Sequence, residues 1–201
     1  MINTVILDIG QVLANFRWEE FLIECGYREE IVKRVGNATV LGKYWSEQDR
    51  GLISEEELVK LCCGLDSEVS EEIKHFFHNI TETVREFPYA EDFIKSLKSN
   101  GYKVYLLSNY GERNFQYAME NFRFIPHADG KVISYEIKKV KPEPEIYDYL
   151  IKKYNINPTE AVFLDDSKPN LEAAEKFGFS AIHVTDIEKA LEELRGMGVK
   201  F

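Results

Sequence analysis

Residues 5–10, Val-Ile-Leu-Asp-Ile-Gly, decide how this chain folds. A short, largely β-branched apolar run that ends in a polar residue and a glycine is typical of a buried strand entering a loop. We therefore expect this strand to deliver Asp8 to the edge of a sheet. Two similar apolar runs recur at 104–107 and 161–164, and a weaker one lies at 181–184.

Helical patterns lie between these apolar runs. At 91–100 the apolar residues share one face before an Asn-Gly stop signal, and similar patterns cover 145–154 and 171–177. Parallel strands need crossover connections, so strands that alternate with helices favour parallel pairing. The sequence therefore predicts an α/β fold with a doubly wound parallel sheet.

A second, helical unit interrupts this alternation directly after the first strand. It carries no strand-like run, and Ser54 and Glu57 form a capping-box pattern at the start of one of its helices. We expect residues 1–16 and 86–201 to form the α/β core domain. Residues 17–85 are expected to form an inserted, all-helical domain.

Composition excludes several classes of protein. The 201 residues carry 25 Lys and Arg against 35 Asp and Glu, a formal net charge of -10. We expect no nucleic-acid partner, because such binding rests on clustered basic residues. We also expect no membrane partner, since no apolar run reaches the roughly 20 residues of a membrane helix.

The cysteines and the first residues point to a cytoplasmic location. Two of the 3 cysteines are adjacent, so they cannot form a paired disulfide framework, and they fit a reducing compartment. The start of the chain has no basic segment followed by an apolar stretch, the pattern of a signal peptide. The oligomeric state stays open between a monomer and a weak homodimer.

Functional side chains follow three of the predicted strands, at the end where ligands bind in open parallel sheets. A lysine in a further connection joins them. The candidate residues are Asp8, Ser108, Asn109, Lys141, Asp165 and Asp166. Carboxylates in one place raise one another's pKa unless a cation lies among them, and oxygen ligands of this kind suit Mg²⁺.

The remaining groups of this set fit phosphate chemistry. Lys141 can hold Asp8 ionised and bind a phosphate oxygen, while Ser108 and Asn109 can offer neutral donors to the same oxygens. A free carboxylate surrounded by a metal ion, a lysine and such donors is what nucleophilic phosphoryl transfer requires.

Each of these residues also has a structural interpretation. An aspartate at a strand end often serves a turn, and Ser108 with Asn109 fits a plain turn. The two adjacent aspartates could cap a helix that begins near Lys168. Lys141 could be a solvated surface residue. The occurrence of all these motifs in one chain favours the catalytic interpretation.

Four ordered motifs carry a resemblance to a known family. They are DxGxVL at 8–13, LSN at 107–109, VKPEPEIY at 140–147 and FLDDxxxN at 163–170. In this order they resemble the motifs of the haloacid dehalogenase superfamily, and the helical insert resembles that superfamily's small α-helical, C1-type cap. Residues 47–57 look like a cap signature of its bacterial sugar-phosphate phosphatase branch. The phosphatase domain of cytosolic epoxide hydrolase is a relative of that branch.

The resemblance implies a phosphatase that works through a covalent intermediate. Asp8 would attack phosphorus to form an aspartyl-phosphate, which water then hydrolyses. The carboxylate of Asp8, the main-chain carbonyl of Gly10 and Asp166 would hold Mg²⁺. Asp165 would act through a water or by orienting Lys141. The cap would exclude water and select a small phosphorylated metabolite, with a sugar phosphate as the expected class.

Gly10 departs from the pattern of many phosphatases in this superfamily. They place a second aspartate two residues after the nucleophile as general acid and base, a role typically worth about 10²–10⁴-fold in rate. The sugar-phosphate branch resembles this chain in having glycine there, so the departure is compatible with activity. It leaves the general acid unidentified, and it predicts a turnover slower than that of other phosphatases with this fold.

Two other functions fit part of the pattern. A 2-haloacid dehalogenase would use Asp8 to displace halide from carbon. Such enzymes need no metal, usually carry an aromatic residue at the Gly10 position and lack the paired aspartates. A non-catalytic module that binds a phosphate ligand could have lost its acid at Gly10.

The helical insert offers weaker candidates for substrate contacts. Tyr44 and Trp45 could line the pocket, but aromatic residues at helical spacing more often pack in a core. Arg50 could also reach the substrate, although a surface position is the expectation for it. Asn15 and Arg17, which follow the first motif, could also touch the substrate, although a hinge or surface role is the expectation for them.

Overall fold

A five-stranded parallel sheet forms the centre of the computed structural model, which describes residues 1–201. The chain has seven strands: β1 (Thr4–Leu7), β2 (Ala14–Phe16), β3 (Val84–Glu86), β4 (Lys103–Ser108), β5 (Gly130–Ile133), β6 (Ala161–Asp165) and β7 (Ser180–His183). The order across the sheet is β5-β4-β1-β6-β7, and every neighbouring pair is parallel. The predicted α/β fold is confirmed.

β1 occupies the middle of the sheet because it is apolar on both faces. Val5 and Leu7 pack into one hydrophobic cluster, and Ile6 packs into a second one. Successive side chains of a strand point to opposite faces, so a run of this kind is buried only when helices cover both sides. Asp8 consequently emerges at the carboxyl edge of the sheet, between the ends of β4 and β6.

Eleven α-helices complete the fold. They are α1 (Trp18–Glu24), α2 (Glu29–Ala38), α3 (Trp45–Arg50), α4 (Glu55–Leu65), α5 (Ser70–His78), α6 (Ala90–Ser99), α7 (Glu112–Asn121), α8 (Ser134–Ile137), α9 (Pro144–Tyr154), α10 (Lys168–Glu175) and α11 (Ile187–Gly196). The helices predicted at 91–100, 145–154 and 171–177 correspond to α6, α9 and α10. None of the helices is both long enough and apolar enough to cross a membrane.

The start of α10 differs from that of the apolar pattern at 171–177. The helix begins at Lys168 and carries a proline in its first turn. Proline is favoured there because its missing N–H would have no partner in the first turn of a helix. The apolar pattern alone begins at Leu171, whereas the capping interpretation of Asp165 and Asp166 already placed the start near Lys168.

Helices α1–α5 bury a hydrophobic cluster of their own. This cluster has 12 buried residues, with Phe76 and Phe77 among the largest, and it shares none of them with the two clusters of the sheet. The capping box of α4 forms as predicted, since the Ser54 side chain accepts a hydrogen bond from the Glu57 N–H at 3.1 Å. Residues 17–85 thus include a helical layer with a separate core.

Two short strands connect this helical layer to the sheet. β2 and β3 pair antiparallel, with Ala14 opposite Glu86 and Phe16 opposite Val84. The prediction that no strand occurs between residues 17 and 85 is therefore wrong at its last two positions. The pairing joins segments about seventy residues apart, so neither three-residue strand carries a pattern of its own. The domain boundaries themselves stay a prediction.

β5 was also missed by the sequence pattern. Only Val132 and Ile133 in this four-residue strand are apolar and buried. The strand is held by its neighbours, since β4 pairs along its whole length. The hydroxyl of Tyr154 also accepts a hydrogen bond from the Lys131 N–H at 2.8 Å. Tertiary contacts, rather than strand propensity, decide this element.

Candidate active site

Asp8 lies one residue beyond β1 and is almost fully buried, with 7% of its surface exposed. Its main-chain N–H donates to the carbonyl of Leu164 at 2.9 Å, which fixes it to β6. The side-chain Oδ1 accepts a hydrogen bond from the Ile9 N–H at 2.7 Å. The carboxylate is therefore anchored through one oxygen, and Oδ2 does not share this contact.

Lys141 joins two buried carboxylates. Its Nζ lies 2.9 Å from Asp8 Oδ1 and 2.6 Å from Asp165 Oδ2, and it donates to the Leu107 carbonyl at 2.9 Å. An ammonium group has three donors, and these contacts use all of them. The lysine is 4% exposed, which excludes its interpretation as a surface residue.

Asn109 has a different role from the one predicted. Its Nδ2 donates to the Lys141 carbonyl at 2.9 Å, and its Oδ1 accepts from the Lys141 N–H at 2.7 Å. The expectation was a donor to substrate oxygens. The amide oxygen and one amide N–H are instead used by the main chain of Lys141, in a loop with no strand or helix to satisfy its backbone groups. Asn109 thus positions the lysine, and it also lines the pocket.

Asp165 is held as firmly as the lysine it contacts. Its Oδ1 accepts from the Ser167 N–H at 2.8 Å, and both oxygens lie near Asn170 Nδ2, at 3.0 and 3.1 Å. Tyr147 in turn donates to the Asn170 carbonyl at 2.8 Å. This aspartate has no exposed surface, so its charge acts on Lys141 with little solvent screening.

Burial and neighbouring charges shift the pKa values of the ionisable groups in this cluster in opposite directions. Burial raises the pKa of Asp8 to about 7, the charge of Lys141 and the hydroxyl of Ser108 oppose this rise, and the charge of Asp165 adds to it. Burial would lower the pKa of Lys141, but the charges of Asp165 and Asp8 outweigh it and raise that pKa. The lysine stays charged, and Asp8 lacks full charge compensation.

The carboxylates of this cluster fit a divalent cation. One oxygen from each of Asp8, Asp165 and Asp166 lies within 4.8 Å of the others, with Asp166 on the exposed side. All the donors are oxygens, which suits Mg²⁺. The raised pKa of Asp8 is the electrostatic cost that a bound cation would relieve. Gly10 lies in the same loop, and a side chain there would meet no atom within 4 Å.

A pocket opens between the helical layer and this edge of the sheet. Its empty volume is about 490 Å³, including space that is open to solvent. The lining residues are Gly10, Ala14, Asn15, Phe16, Trp45, Gln48, Asp49, Val84, Asn109, Tyr110, Gly111 and Asn114. Two buried acceptors among them, Gln48 Oε1 and Asn114 Oδ1, have no hydrogen-bond partner in the protein.

The weaker candidates for substrate contacts, in the insert and just before it, differ in whether they reach the pocket. Trp45 lines the pocket and also packs against the helical core, whereas Tyr44 only packs there. Asn15 lines the pocket as well, although a hinge or surface role was expected. Arg17 is buried and pairs with Glu24 within the helical layer, away from the pocket.

Arg50 docks α3 on the sheet domain. Its Nη1 and Nη2 donate to the two carboxylate oxygens of Glu143 at 2.8 and 2.7 Å. The expected surface position is wrong, since the side chain is 18% exposed. Two further contacts hold the same end of the helix: Ser134 Oγ donates to the Asp49 carbonyl at 2.5 Å, and Lys138 Nζ donates to the Gly51 carbonyl at 2.7 Å.

Asp49 is the main pocket residue that sequence reasoning missed. Loss of solvent raises its pKa to about 7, with the charge of Asp8 adding to the rise and Lys141 opposing it. In the sequence it is one of two acids on a short polar helix. The contacts that dock the end of α3, from Arg50, Ser134 and Lys138, come from outside this local sequence. The one signal in the sequence was Gly10: many phosphatases of the superfamily carry an aspartate at this position, so its absence indicated that another residue supplies the acid.

Comparison with known proteins agrees with this geometry. The family model described as haloacid dehalogenase-like hydrolase matches residues 2–178. The chain belongs to this family. The resemblance of its four motifs is thereby confirmed, together with the prediction that the protein is a hydrolase.

Relatives within this hydrolase family differ in their chemistry. A D-ribitol-5-phosphate phosphatase from Bacteroides thetaiotaomicron is 28% identical over 200 residues, covering 89% of this chain and 90% of that protein. A family enzyme from the same organism, solved with magnesium and inorganic phosphate, is 26% identical with a TM-score of 0.68, covering 91% of this chain and 94% of the other. An (S)-2-haloacid dehalogenase from Burkholderia cepacia is 31% identical over 98 residues. That match spans only 49% of this chain and 42% of the dehalogenase.

Proposed function

We propose that this hydrolase is a Mg²⁺-dependent phosphatase of a small phosphorylated metabolite, with a sugar or polyol phosphate as the substrate class. The observation that carries the proposal is the buried Asp8 carboxylate, anchored through Oδ1 by Lys141 and Ile9 and with Oδ2 outside both contacts. The carboxylates of Asp165 and Asp166 lie beside it. This combination provides a nucleophile, charge compensation and a cation site at one edge of the sheet.

Asp8 acts as the nucleophile in the proposed reaction. Its Oδ2 forms a bond to phosphorus while the ester bond to the leaving oxygen breaks, which gives an aspartyl-phosphate. Lys141 favours the ionised form of Asp8 for this attack, and a bound cation would add to this effect. Lys141 stays charged itself, because Asp165 compensates it from the other side. Asn109 holds the lysine in place. The buried hydroxyl of Ser108, which favours the ionised form of Asp8 in the free protein, would donate to a phosphate oxygen once the substrate is bound. Water then hydrolyses the intermediate.

The residues around Asp8 would hold the cation. The carboxylates of Asp8 and Asp166 and the main-chain carbonyl of Gly10 are the proposed ligands, and Asp165 supports them from behind. Mg²⁺ bound there supplies positive charge that attracts a phosphate ester and stabilises the charge on its oxygens.

The pocket supports a small hydroxylated substrate. Its unpartnered acceptors, Gln48 Oε1 and Asn114 Oδ1, suit hydroxyl groups, which donate hydrogen bonds. We propose that residues 17–85 act as a cap that closes over the substrate and excludes water. The D-ribitol-5-phosphate phosphatase and the relative solved with magnesium and phosphate support the same substrate class and cation.

Phosphate release tests this proposal. The protein is assayed against a panel of sugar, polyol and aryl phosphates, with Mg²⁺ and with a chelator, and kcat/KM is measured for each. We expect turnover that needs Mg²⁺ and is abolished in Asp8→Asn. Asp92→Asn is the matched control, because Asp92 is exposed and belongs neither to the pocket lining nor to the carboxylate cluster. Absence of Mg²⁺-dependent turnover on every ester would exclude the proposal.

The partial match to a haloacid dehalogenase supports a second candidate, halide displacement from carbon by Asp8. It is less well supported, because three converging carboxylates provide a cation site that such a reaction does not use. Release of chloride from a 2-haloacid in the presence of chelator, without phosphate release from any ester, would favour it.

A further inference from the structure

A phosphatase of this kind needs a proton donor for its leaving group. The oxygen of an aliphatic alcohol leaves as a strongly basic alkoxide unless an acid protonates it as the bond to phosphorus breaks. Gly10 supplies no side chain for this purpose. If the proposed function is correct, the acid comes from another residue that faces the pocket.

Few ionisable side chains line the pocket. Asp49 and Tyr110 are the only two. Burial raises the pKa of Tyr110 above its usual range, so it is too weak an acid to act near neutral pH. Lys141, which lies behind the pocket, has all three of its donors occupied by Asp8, Asp165 and a carbonyl. Asp49 is the remaining candidate.

The backbone around Asp49 is fixed while its carboxyl group is free. Ser134 binds its carbonyl oxygen, and the residues on its C-terminal side, Arg50 and Gly51, are bound by Glu143 and Lys138. No group of the protein hydrogen bonds to or pairs with the Asp49 carboxyl, whereas the other acids of the site are anchored or aimed at a cation. A pKa raised to about 7 by loss of solvent lets this carboxyl carry a proton near neutral pH.

We propose that Asp49 of the helical insert is the general acid and base of the reaction, in place of a side chain at position 10. When Asp8 Oδ2 bonds to phosphorus and the ester bond breaks, the electron pair of that bond goes to the leaving oxygen. That oxygen takes the proton of the Asp49 carboxyl group and departs as the alcohol.

The second step restores both residues. The Asp49 carboxylate takes a proton from a water molecule, whose oxygen bonds to phosphorus. The bond between phosphorus and Asp8 breaks, and its electron pair returns to the Asp8 carboxylate. The products are inorganic phosphate and the alcohol, and one water is consumed.

Leaving-group dependence tests this assignment with Asp49→Asn. Wild-type and variant are compared on an alkyl phosphate, the best substrate of the panel, and on p-nitrophenyl phosphate, whose nitrophenolate leaves without protonation. On the alkyl phosphate we expect a loss of about 10²–10⁴-fold in kcat/KM. On p-nitrophenyl phosphate we expect a burst of about one nitrophenolate per enzyme at a rate near wild type. Slow turnover follows, since only the second step then needs the base.

Three further variants separate catalysis from structure. Glu56→Gln removes an exposed acid of the same insert and should leave both substrates unaffected. Asp49→Glu keeps the carboxyl group and should retain part of the alkyl phosphatase activity. A double variant, Gly10→Asp with Asp49→Asn, places a carboxylate in the open space at Gly10 and should regain at least tenfold on the alkyl phosphate.

Three results would overturn the assignment. They are equal losses on both substrates without a burst, unchanged alkyl phosphatase activity in Asp49→Asn, and no gain from Gly10→Asp in a folded double variant. Failure of wild-type protein on every phosphate ester would instead remove the proposed function, and the role of Asp49 with it.

Discussion

The two sides of the active site differ in whether their polar groups already have partners. We define the charged rim as Asp8, Lys141 and Asp165. We define the pocket wall as Gln48, Asp49 and Asn114. Around the rim, contacts of 2.6–2.9 Å occupy every donor of the lysine. On the wall, buried acceptors have no partner within the protein.

This difference follows from what each side is expected to do. Groups that perform chemistry must be in place before the substrate arrives, so hydrogen bonds within the protein hold them in position. Groups that recognise a substrate are left unpaired, because the substrate supplies the missing partner. Changes to the rim should therefore affect stability and rate, while changes to the wall should affect binding and leaving-group chemistry.

The largest effect is expected from Lys141→Ala, which leaves two carboxylates buried without their cation. Removing one partner of a buried pair costs about 3–5 kcal/mol in the free energy of unfolding. Urea denaturation measures this loss, and phosphate release should vanish with it. Lys152→Ala is the matched control, because its pair with Asp148 is exposed and should cost at most about 1 kcal/mol. Equal losses would contradict the distinction between a buried and a solvated lysine.

Asp8→Asn should stabilise the protein when no Mg²⁺ is present. The folded protein raises the pKa of Asp8 from 3.8 to about 7, so ionised Asp8 destabilises it. This penalty is absent below about pH 4, grows as the pH rises to about 7 and is complete above that. We expect the variant to melt several degrees higher at pH 8 with chelator, and equally at pH 4. Added Mg²⁺ should raise the melting temperature of wild type more than that of the variant.

Asn109→Ala tests whether this amide serves the lysine or the substrate. Because the change leaves the Lys141 N–H and carbonyl without partners, we expect a loss of about 1–3 kcal/mol in stability. The rate should fall through kcat, with little change in KM. Asn121→Ala, which removes an amide bonded to one carbonyl at an exposed position of α7, is the control and should have a smaller effect. A rise in KM alone would assign Asn109 to the pocket wall instead.

Asn114→Leu should have the smallest effect on stability, and it should weaken substrate binding. Replacing an unpartnered buried amide by an apolar group of similar shape is nearly neutral or stabilising. Thermal melting should therefore be unchanged or slightly higher. The KM for the best substrate should rise about tenfold, the value of a lost hydrogen bond. A clear drop in melting temperature would show that the wall, like the rim, is part of the protein's own framework.

The sheet and the rim could be predicted because their signals are local. Each strand of the central trio is a short apolar run, and its functional residue follows directly in the sequence. Parallel pairing then brings Asp8, Ser108 and Asp165 to one edge without further information. A position for Lys141 beside these carboxylates was also predicted, whereas its burial became evident only from the structure.

The remaining features depend on contacts between distant parts of the chain. β5 needs β4 and Tyr154, and the pair formed by β2 and β3 needs segments on both sides of the insert. Asn109 could not be assigned from its neighbours, since its partner lies 32 residues away. Asp49 lies at the pocket in a segment held by distant residues: Arg50 binds Glu143 across 93 positions, and Ser134 binds the Asp49 carbonyl across 85. No periodicity within α3 encodes these contacts.

The covalent intermediate on Asp8 is the most direct test of the whole account. Protein quenched with acid during turnover of the best phosphate ester is digested, and the peptides are analysed by mass spectrometry. A phosphoryl group on the peptide that contains residue 8, lost in Asp8→Asn and unaffected in Asp92→Asn, is the expected result. Steady phosphate release with no phosphoryl group on the protein, or with the group on another residue, would contradict the assignment of Asp8 as nucleophile.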